Sequence, residues 1–120
     1  MPNRETVEAL AAEIEAGRFV AAIERFYGAN ASMQENGSAP RVGRDQLMEG
    51  ERVVMSRFES IAARRVGPSL IEGDTVASRW VFTFTGKDGT ARTLEEISWQ
   101  RWVGDEVAEE RFFYDPAQMA

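Results

Sequence analysis

Carboxylates are the side chains of this sequence with the greatest capacity for chemistry. The chain has 20 Asp and Glu residues but no His and no Cys. Histidine-dependent triads, thiolate nucleophiles and the commonest metal ligands are therefore excluded. Acid–base chemistry must come from carboxylates, from the two tyrosines or from the single lysine, Lys87.

Glu35 is the first candidate. It follows the apolar Met33 by two positions at the end of a short predicted strand, so both side chains would share one face. If that face lines an apolar interior, the carboxylate is desolvated and becomes useful as an acid or a base. The alternative is a solvated carboxylate at the edge of a loop.

Glu95 is the second candidate. It shares one face of a later predicted strand with Ile97 and Trp99, whereas the adjacent Glu96 lies on a polar face. Strand alternation therefore favours Glu95 as the buried acid. The alternative for Glu95 is a structural ion pair with an arginine such as Arg79 or Arg101.

Aromatic residues supply the candidates for ligand binding. The chain has seven Phe, three Trp and two Tyr, and most of these rings are expected in the core. The predicted cavity-lining residues are Phe26, Tyr27, Met55, Phe58, Trp80, Trp99 and Tyr114. Two of them, Tyr27 and Tyr114, could donate a hydrogen bond into the cavity.

Three helices are predicted before the strands. Apolar residues recur at helical spacing from Val7 to Ile14, and Gly17 ends that helix. A second helix runs from Phe19 to Gly28 and includes Tyr27. A third begins at a capping Asp45 and continues to Phe58.

The strands follow in the second half of the chain. Period-2 alternation and glycine-rich turns predict strands at 31–35, 61–66, 70–71, 75–85, 93–103 and 106–114. Helices followed by an antiparallel meander predict an α+β fold in a single domain, 1–120. A twisted sheet covered by helices makes a cone, and the mouth of such a cone is a usual place for a small-molecule pocket.

Net charge and hydropathy limit the classes of partner that this chain is expected to bind. The net charge of −6 argues against nucleic acid, and no apolar run approaches the roughly 20 residues of a membrane helix. The N-terminus lacks the pattern of a signal peptide, so a cytoplasmic location is expected. The expected ligand is a small apolar molecule, with no metal and no cofactor.

Four segments together carry a resemblance to a known family. They are EAGRFVAAIERFYGANASMQENG, PRVGRDQL, GDTVASRWVFTFTGKDGT and RFFYDP. In order and spacing the chain resembles the nuclear transport factor 2-like superfamily, in its branch of SnoaL-like polyketide cyclases and ketosteroid isomerases. The resemblance implies a cystatin-like cone, in which a curved antiparallel sheet and three N-terminal helices surround an apolar pocket. It also implies a homodimer formed through the outer face of the sheet, where we expect apolar residues such as Val81 and Trp102.

The resemblance also implies roles for individual residues. Glu35 matches the catalytic base of the isomerases. An ungapped match places Glu95 at the protonated oxyanion donor, with Glu96 one residue away, and Leu10 stands where the isomerases have a Tyr. The implied function is a cofactor-independent isomerase, cyclase or hydrolase acting on an apolar carbonyl-type compound. The alternative is a non-catalytic ligand-binding or dimerisation domain of the same fold.

Overall fold

Three α-helices lie in the first half of the chain in the computed structural model, which describes residues 2–120. They are α1 (Arg4–Glu15), α2 (Phe19–Phe26) and α3 (Arg44–Ser56). The Asn3 side chain caps α1 by accepting a hydrogen bond from the Thr6 amide at 2.7 Å. Gly17 follows α1 at φ 81°, a conformation that glycine adopts without strain, and the chain turns there into α2.

Seven strands form one curved, unclosed sheet. They are β1 (Tyr27–Glu35), β2 (Arg41–Val42), β3 (Phe58–Arg65), β4 (Leu70–Glu72), β5 (Thr75–Gly86), β6 (Ala91–Val103) and β7 (Glu106–Phe113). The strand order is β2-β1-β7-β6-β5-β3, and β4 pairs with β5. A short 3-10 helix, Pro116–Met119, follows the last strand.

The expected α+β fold is confirmed, but the sheet is mixed rather than wholly antiparallel. β1 pairs with β7 in parallel, and the other strand pairs are antiparallel. The hairpin turns that fix the direction of β5, β6 and β7 do not reach β1. β1 and β7 lie far apart along the chain and no turn joins them, so the turn pattern of the sequence does not show that they pair in parallel.

Three predicted boundaries of the helices move by a few residues. Tyr27 has the extended backbone angles φ −101° and ψ 141° and therefore begins β1 instead of ending α2. Phe58 begins β3, where it pairs with Gly86. Asp45 lies in the first turn of α3, where its charge still complements the helix dipole, whereas the capping position belongs to Gly43.

The inner face of the sheet is divided along the length of its strands. At one end, Val76 of β5 and Trp102 of β6 are fully buried in the hydrophobic core against the helices. At the other end, Phe84 of β5 and Leu94 of β6 line a cavity. No helix in residues 2–120 is long and apolar enough to cross a membrane.

Candidate functional site

The cavity has a volume of about 290 Å³ between the inner face of the sheet and the helices. Five aromatic rings from α2, β3 and β5 form one wall of the cavity, and the rest of its apolar lining includes aliphatic side chains such as Ile14, Met33 and Leu94. Ring centroids lie 6.3 Å apart for Phe19 and Phe82, 6.0 Å for Trp80 and Phe82, 6.1 Å for Phe82 and Phe84, and 5.0 Å for Phe58 and Phe84. The expected alternation of Trp80, Phe82 and Phe84 toward one face of β5 is confirmed.

Glu96 projects from β6 into this cavity. Its exposed fraction is 8%, and no group in residues 2–120 forms a hydrogen bond or ion pair with its carboxyl. Burial, together with the carboxyls of Glu110, Glu35 and Glu51, raises the pKa of Glu96 to about 8. Glu96 is therefore mainly protonated at neutral pH and can donate a hydrogen bond to a ligand.

Glu110, on β7, differs from Glu96 because protein donors occupy both of its oxygens. The Tyr27 hydroxyl donates to Oε1, while Ser98 Oγ and Gln100 Nε2 donate to Oε2 at 2.6 and 2.8 Å. Gln100 is itself oriented by Trp102, whose Nε1 donates to Gln100 Oε1 at 3.0 Å. Burial raises the pKa of Glu110, and the three donors partly offset that rise.

Glu35 lies at the rim of the cavity, on the same face of β1 as Met33. Its Oε2 accepts a hydrogen bond from Arg41 Nη2 at 2.7 Å, and the Glu35 side chain is 38% exposed. The pairing of β1 with β2 brings Arg41 beside it, since Met33 is the register partner of Arg41. The Glu35 carboxylate is thus partly solvated at the cavity mouth and is fixed in position by Arg41.

Glu51 reaches the cavity from α3 and was not anticipated from the sequence. It lines the cavity one helical turn from Val54, and no hydrogen bond or ion pair within residues 2–120 involves its side chain. Burial raises the pKa of Glu51, the Arg41 guanidinium opposes that rise, and the carboxyls of Glu35 and Glu110 add to it.

Four of the predicted binding residues line the cavity: Tyr27, Phe58, Trp80 and Tyr114. Their role in binding remains a prediction. Phe26 does not line it, because it lies on the face of α2 that packs into the hydrophobic core. Met55 is also absent from the lining, since the helical period turns it about 100° away from Val54.

The prediction that Glu95 and Trp99 face the cavity is wrong, because both lie on the outer face of β6. Both point away from the cavity, with the Glu95 side chain 59% exposed and Trp99 52% exposed. Glu95 faces Arg79, with 3.8 Å between Oε1 and Nη2, as in the structural alternative. The pleat turns the even-numbered residues inward, so Glu96 takes the position in the cavity that was expected for Glu95.

The polar inner face of β6 carried a signal for the buried carboxyls. Glu96, Ser98 and Gln100 alternate on one face, and all three are buried. Three polar residues in a row on one face can indicate a buried hydrogen-bond network as well as solvent exposure. Glu110 had no signal of its own, because its partners lie on β1 and β6.

No cluster of three or more His, Cys, Asp or Glu side chains within residues 2–120 is arranged to hold a metal ion. The chemistry that this arrangement can perform is proton transfer, with a protonated carboxyl on the inner wall and an ionisable one at the rim.

Comparison with known proteins identifies the fold. No family model and no curated protein matches the chain. A Mesorhizobium loti protein described as a SnoaL-like polyketide cyclase is similar in structure, with 21% identity, a TM-score of 0.78, and coverage of 95% of this chain and 100% of that chain. TerC, co-crystallised with polyporic acid, has 16% identity and a TM-score of 0.83 over 99% of this chain and 95% of that chain.

A third similar structure is a Catenulispora acidiphila protein with a ketosteroid isomerase-like fold, in complex with trimethylamine. It has 20% identity and a TM-score of 0.79 over 92% of this chain and 85% of that chain. Identities this low establish the fold alone. The fold is the nuclear transport factor 2-like one that the sequence predicted, with three helices on a curved sheet.

Proposed function

We propose that this chain is a small-molecule enzyme of the isomerase, cyclase or hydrolase kind, acting on an apolar carbonyl compound in the cavity. One observation carries the proposal: Glu96 is a buried carboxyl without a protein partner, and it faces a cavity whose lining is mainly apolar. A purely structural carboxyl would be paired, because an unpartnered buried acid costs folding free energy.

The proposed mechanism divides the work between two carboxyls. The Glu35 carboxylate accepts a proton from the carbon next to the substrate carbonyl. The electrons of that C–H bond form the C=C bond of an enolate, and the π electrons of the carbonyl move to its oxygen. The protonated Glu96 donates to the carbonyl oxygen as negative charge develops there. By comparison with the removal of one oxyanion donor elsewhere, this hydrogen bond contributes about 3 kcal/mol to transition-state stabilisation. Return of the proton to a different carbon completes an isomerisation.

The similar structures support the use of this fold for small organic molecules. TerC was crystallised with polyporic acid, and the Catenulispora acidiphila protein is in complex with trimethylamine. The fold does not select a reaction, since one fold hosts many chemistries. The carboxyls of this chain therefore carry the argument for catalysis.

The second candidate is a non-catalytic ligand-binding domain. The observation that favours it is the ion pair at the rim, where Arg41 occupies one oxygen of Glu35 at 2.7 Å. A base engaged in this way must leave Arg41, or use its other oxygen, before it can accept a proton from carbon. A binding domain needs no such freedom.

Solvent deuterium exchange separates the two candidates. Enolisable aromatic ketones that bind the cavity are incubated with the protein in D2O, and loss of the α-proton signal is followed by NMR. Glu35→Gln should slow exchange by roughly 10²–10⁴-fold because the base is lost. Glu96→Gln should slow it less, since an amide can still donate a hydrogen bond.

Glu95→Gln is the matched control, because Glu95 is the adjacent residue on the outer face. It should exchange substrate protons at the wild-type rate. Ketones that bind the wild-type protein and exchange no faster than in buffer would favour the ligand-binding domain instead.

A further inference from the structure

The ionisable groups that line the cavity are strongly unbalanced in charge. Four carboxyls line it, from Glu35, Glu51, Glu96 and Glu110, against one guanidinium, that of Arg41. Arg41 is paired with Glu35 at 2.7 Å. The remaining three carboxyls form no ion pair among residues 2–120, and the nearby Arg41 guanidinium only partly offsets the rise in the pKa of Glu51.

Two of those three carboxyls are already accounted for. Glu110 is satisfied by neutral donors, and Glu96 is the proton donor of the proposed mechanism. Glu51 has no hydrogen bond or ion pair within residues 2–120 and no part in that mechanism, and its cationic neighbour, Arg41, is paired with Glu35. A carboxyl that is partly desolvated, unpaired and directed into a ligand cavity is completed by a positive group on the ligand.

The aromatic wall independently favours the same ligand charge. Phe82 lies within 6.3 Å, centroid to centroid, of the rings of Phe19, Trp80 and Phe84, which makes the wall continuous. The faces of aromatic rings attract organic cations, and several rings around one site are the usual receptor for ammonium groups.

We propose that the ligand of this cavity carries a positively charged nitrogen, as a protonated amine or a quaternary ammonium with apolar substituents, placed between Glu51 and the aromatic wall. The inference rests on the proposed function only for the use of this cavity, and it adds the charge class of the ligand. An anionic ligand would meet the unpaired carboxyls and be repelled.

A cation at Glu51 is compatible with a protonated Glu96. Among the three carboxyls that raise the pKa of Glu96, Glu51 has the smallest effect. The charged and titratable groups that act on Glu51 are Arg41 of β2, Glu35 of β1 and Glu110 of β7. Glu96 of β6 and Tyr27 of β1 also interact electrostatically with Glu51. Because burial raises the pKa of Glu51, cation binding should strengthen as pH rises and Glu51 ionises.

The test compares benzyltrimethylammonium with its neutral carbon isostere, 2,2-dimethylpropylbenzene, by ligand-detected NMR on the whole chain. The two probes have the same shape, so their affinity ratio reports charge alone. We expect the cation to bind at least about tenfold more tightly, and more tightly at neutral pH than at pH 4, which lies below the ordinary glutamate pKa of 4.5. Glu51→Gln should remove most of that preference while the neutral isostere binds as before.

Glu49→Gln is the control on the same helix. The Glu49 side chain is 67% exposed and pairs with Arg52 outside the cavity, so this variant should keep the wild-type preference. Unchanged binding of the neutral isostere shows that Glu51→Gln is folded. Equal or tighter binding of the neutral probe by the wild-type protein would overturn the inference, as would a cation preference that survives Glu51→Gln.

The outcomes also separate this inference from the proposed function. Ketone exchange without a cation preference would refute the charge class and leave the catalytic proposal intact. A cation preference without ketone exchange in the wild-type protein would refute the catalytic proposal and leave the charge class of the ligand intact.

Discussion

The hydroxyl of Tyr27, at the start of β1, donates a hydrogen bond to the carboxyl of Glu110 on β7, 83 residues further along the chain. Both side chains are buried, with exposed fractions of 2% and 4%. The bond joins the two strands that pair in parallel. It also raises the pKa of Tyr27, together with burial as the first cause and the charge of Glu110. Tyr27 therefore remains a donor across the physiological range.

Tyr27→Phe should lower the free energy of unfolding by about 1–3 kcal/mol, because Glu110 keeps its other two donors but loses this one. Urea denaturation measures the change. Tyr114→Phe is the control, since the Tyr114 hydroxyl has no hydrogen-bond partner in residues 2–120, and it should change stability by less than about 0.5 kcal/mol. Equal losses in the two variants would contradict the role given to the Tyr27 hydroxyl.

Glu96 should make the protein less stable as pH rises. Its pKa is about 8 in the folded protein against an ordinary value of 4.5, so the folded state retains a proton that the unfolded state has released. Stability from this group is full below about pH 4.5 and is lost as pH rises toward 8. Glu96→Gln should therefore be more stable than the wild type at pH 8–9, by on the order of 3–5 kcal/mol, with little difference near pH 4.5.

Thermal denaturation across that pH range measures the effect of Glu96, with Glu95→Gln as the neighbouring control. The Glu95 carboxylate is on the outer face, and its removal should leave the pH profile unchanged. A Glu96→Gln profile parallel to that of the wild type would show that Glu96 ionises normally.

The 3-10 helix Pro116–Met119 should protect the Glu95 amide of β6 from hydrogen exchange. The Gln118 side chain accepts a hydrogen bond from the Glu95 amide at 2.9 Å and donates to the Glu95 carbonyl at 3.1 Å. The next residue, Met119, lines the cavity. Gln118→Ala should speed hydrogen exchange at the Glu95 amide by roughly tenfold or more, because that amide loses its acceptor. Gln46→Ala, an exposed change on α3, should not alter it. An unchanged Glu95 rate would show that the segment does not hold β6.

The outer face of the sheet should be the interface of a homodimer. Ile97 and Phe113 are register partners on β6 and β7, and with Trp99 they are 40%, 43% and 52% exposed. We propose that a second copy covers this apolar face, because an exposed patch of this kind is a natural isologous interface. Trp102, which was expected on this face, is fully buried on the inner one.

Sedimentation at micromolar concentration should give twice the chain mass of 13.4 kDa. Trp99→Arg should give the mass of one chain, because it places a charge at the centre of the patch. Val53→Arg, at a 41% exposed position on α3, should remain dimeric. A wild-type monomer under these conditions would refute the interface.

Local pattern sufficed for most of the helices and strands, because the signals for each element lie within a few residues of each other, but it did not give the parallel pairing of β1 with β7. Gly17 and the helical spacing before it determine where α1 ends and the chain turns. The alternation of Trp80, Phe82 and Phe84 determines one face of β5. These features depend on the geometry of neighbouring residues, which the chain specifies wherever it folds.

Alternation also separated Glu95 from Glu96, since adjacent residues of a strand must face opposite sides. It could not tell which side is the interior. Hydrophobicity pointed to the face of Ile97 and Trp99, but that face is the exposed outer one. The inner face of β6 is polar because Ser98 and Gln100 donate hydrogen bonds to the buried carboxyl of Glu110. Only the packing of the helices on the sheet decides which face of β6 lies in the interior.

The cavity's carboxyls come together only in the tertiary structure. Glu35, Glu51, Glu96 and Glu110 belong to β1, α3, β6 and β7, and none is recognisable as a partner of the others along the chain. The sequence by itself determined that carboxylates must do any acid–base chemistry here, since it has no His and no Cys. Which carboxyls are desolvated, and which keeps a proton at neutral pH, depends on burial and on like charges brought close by the fold.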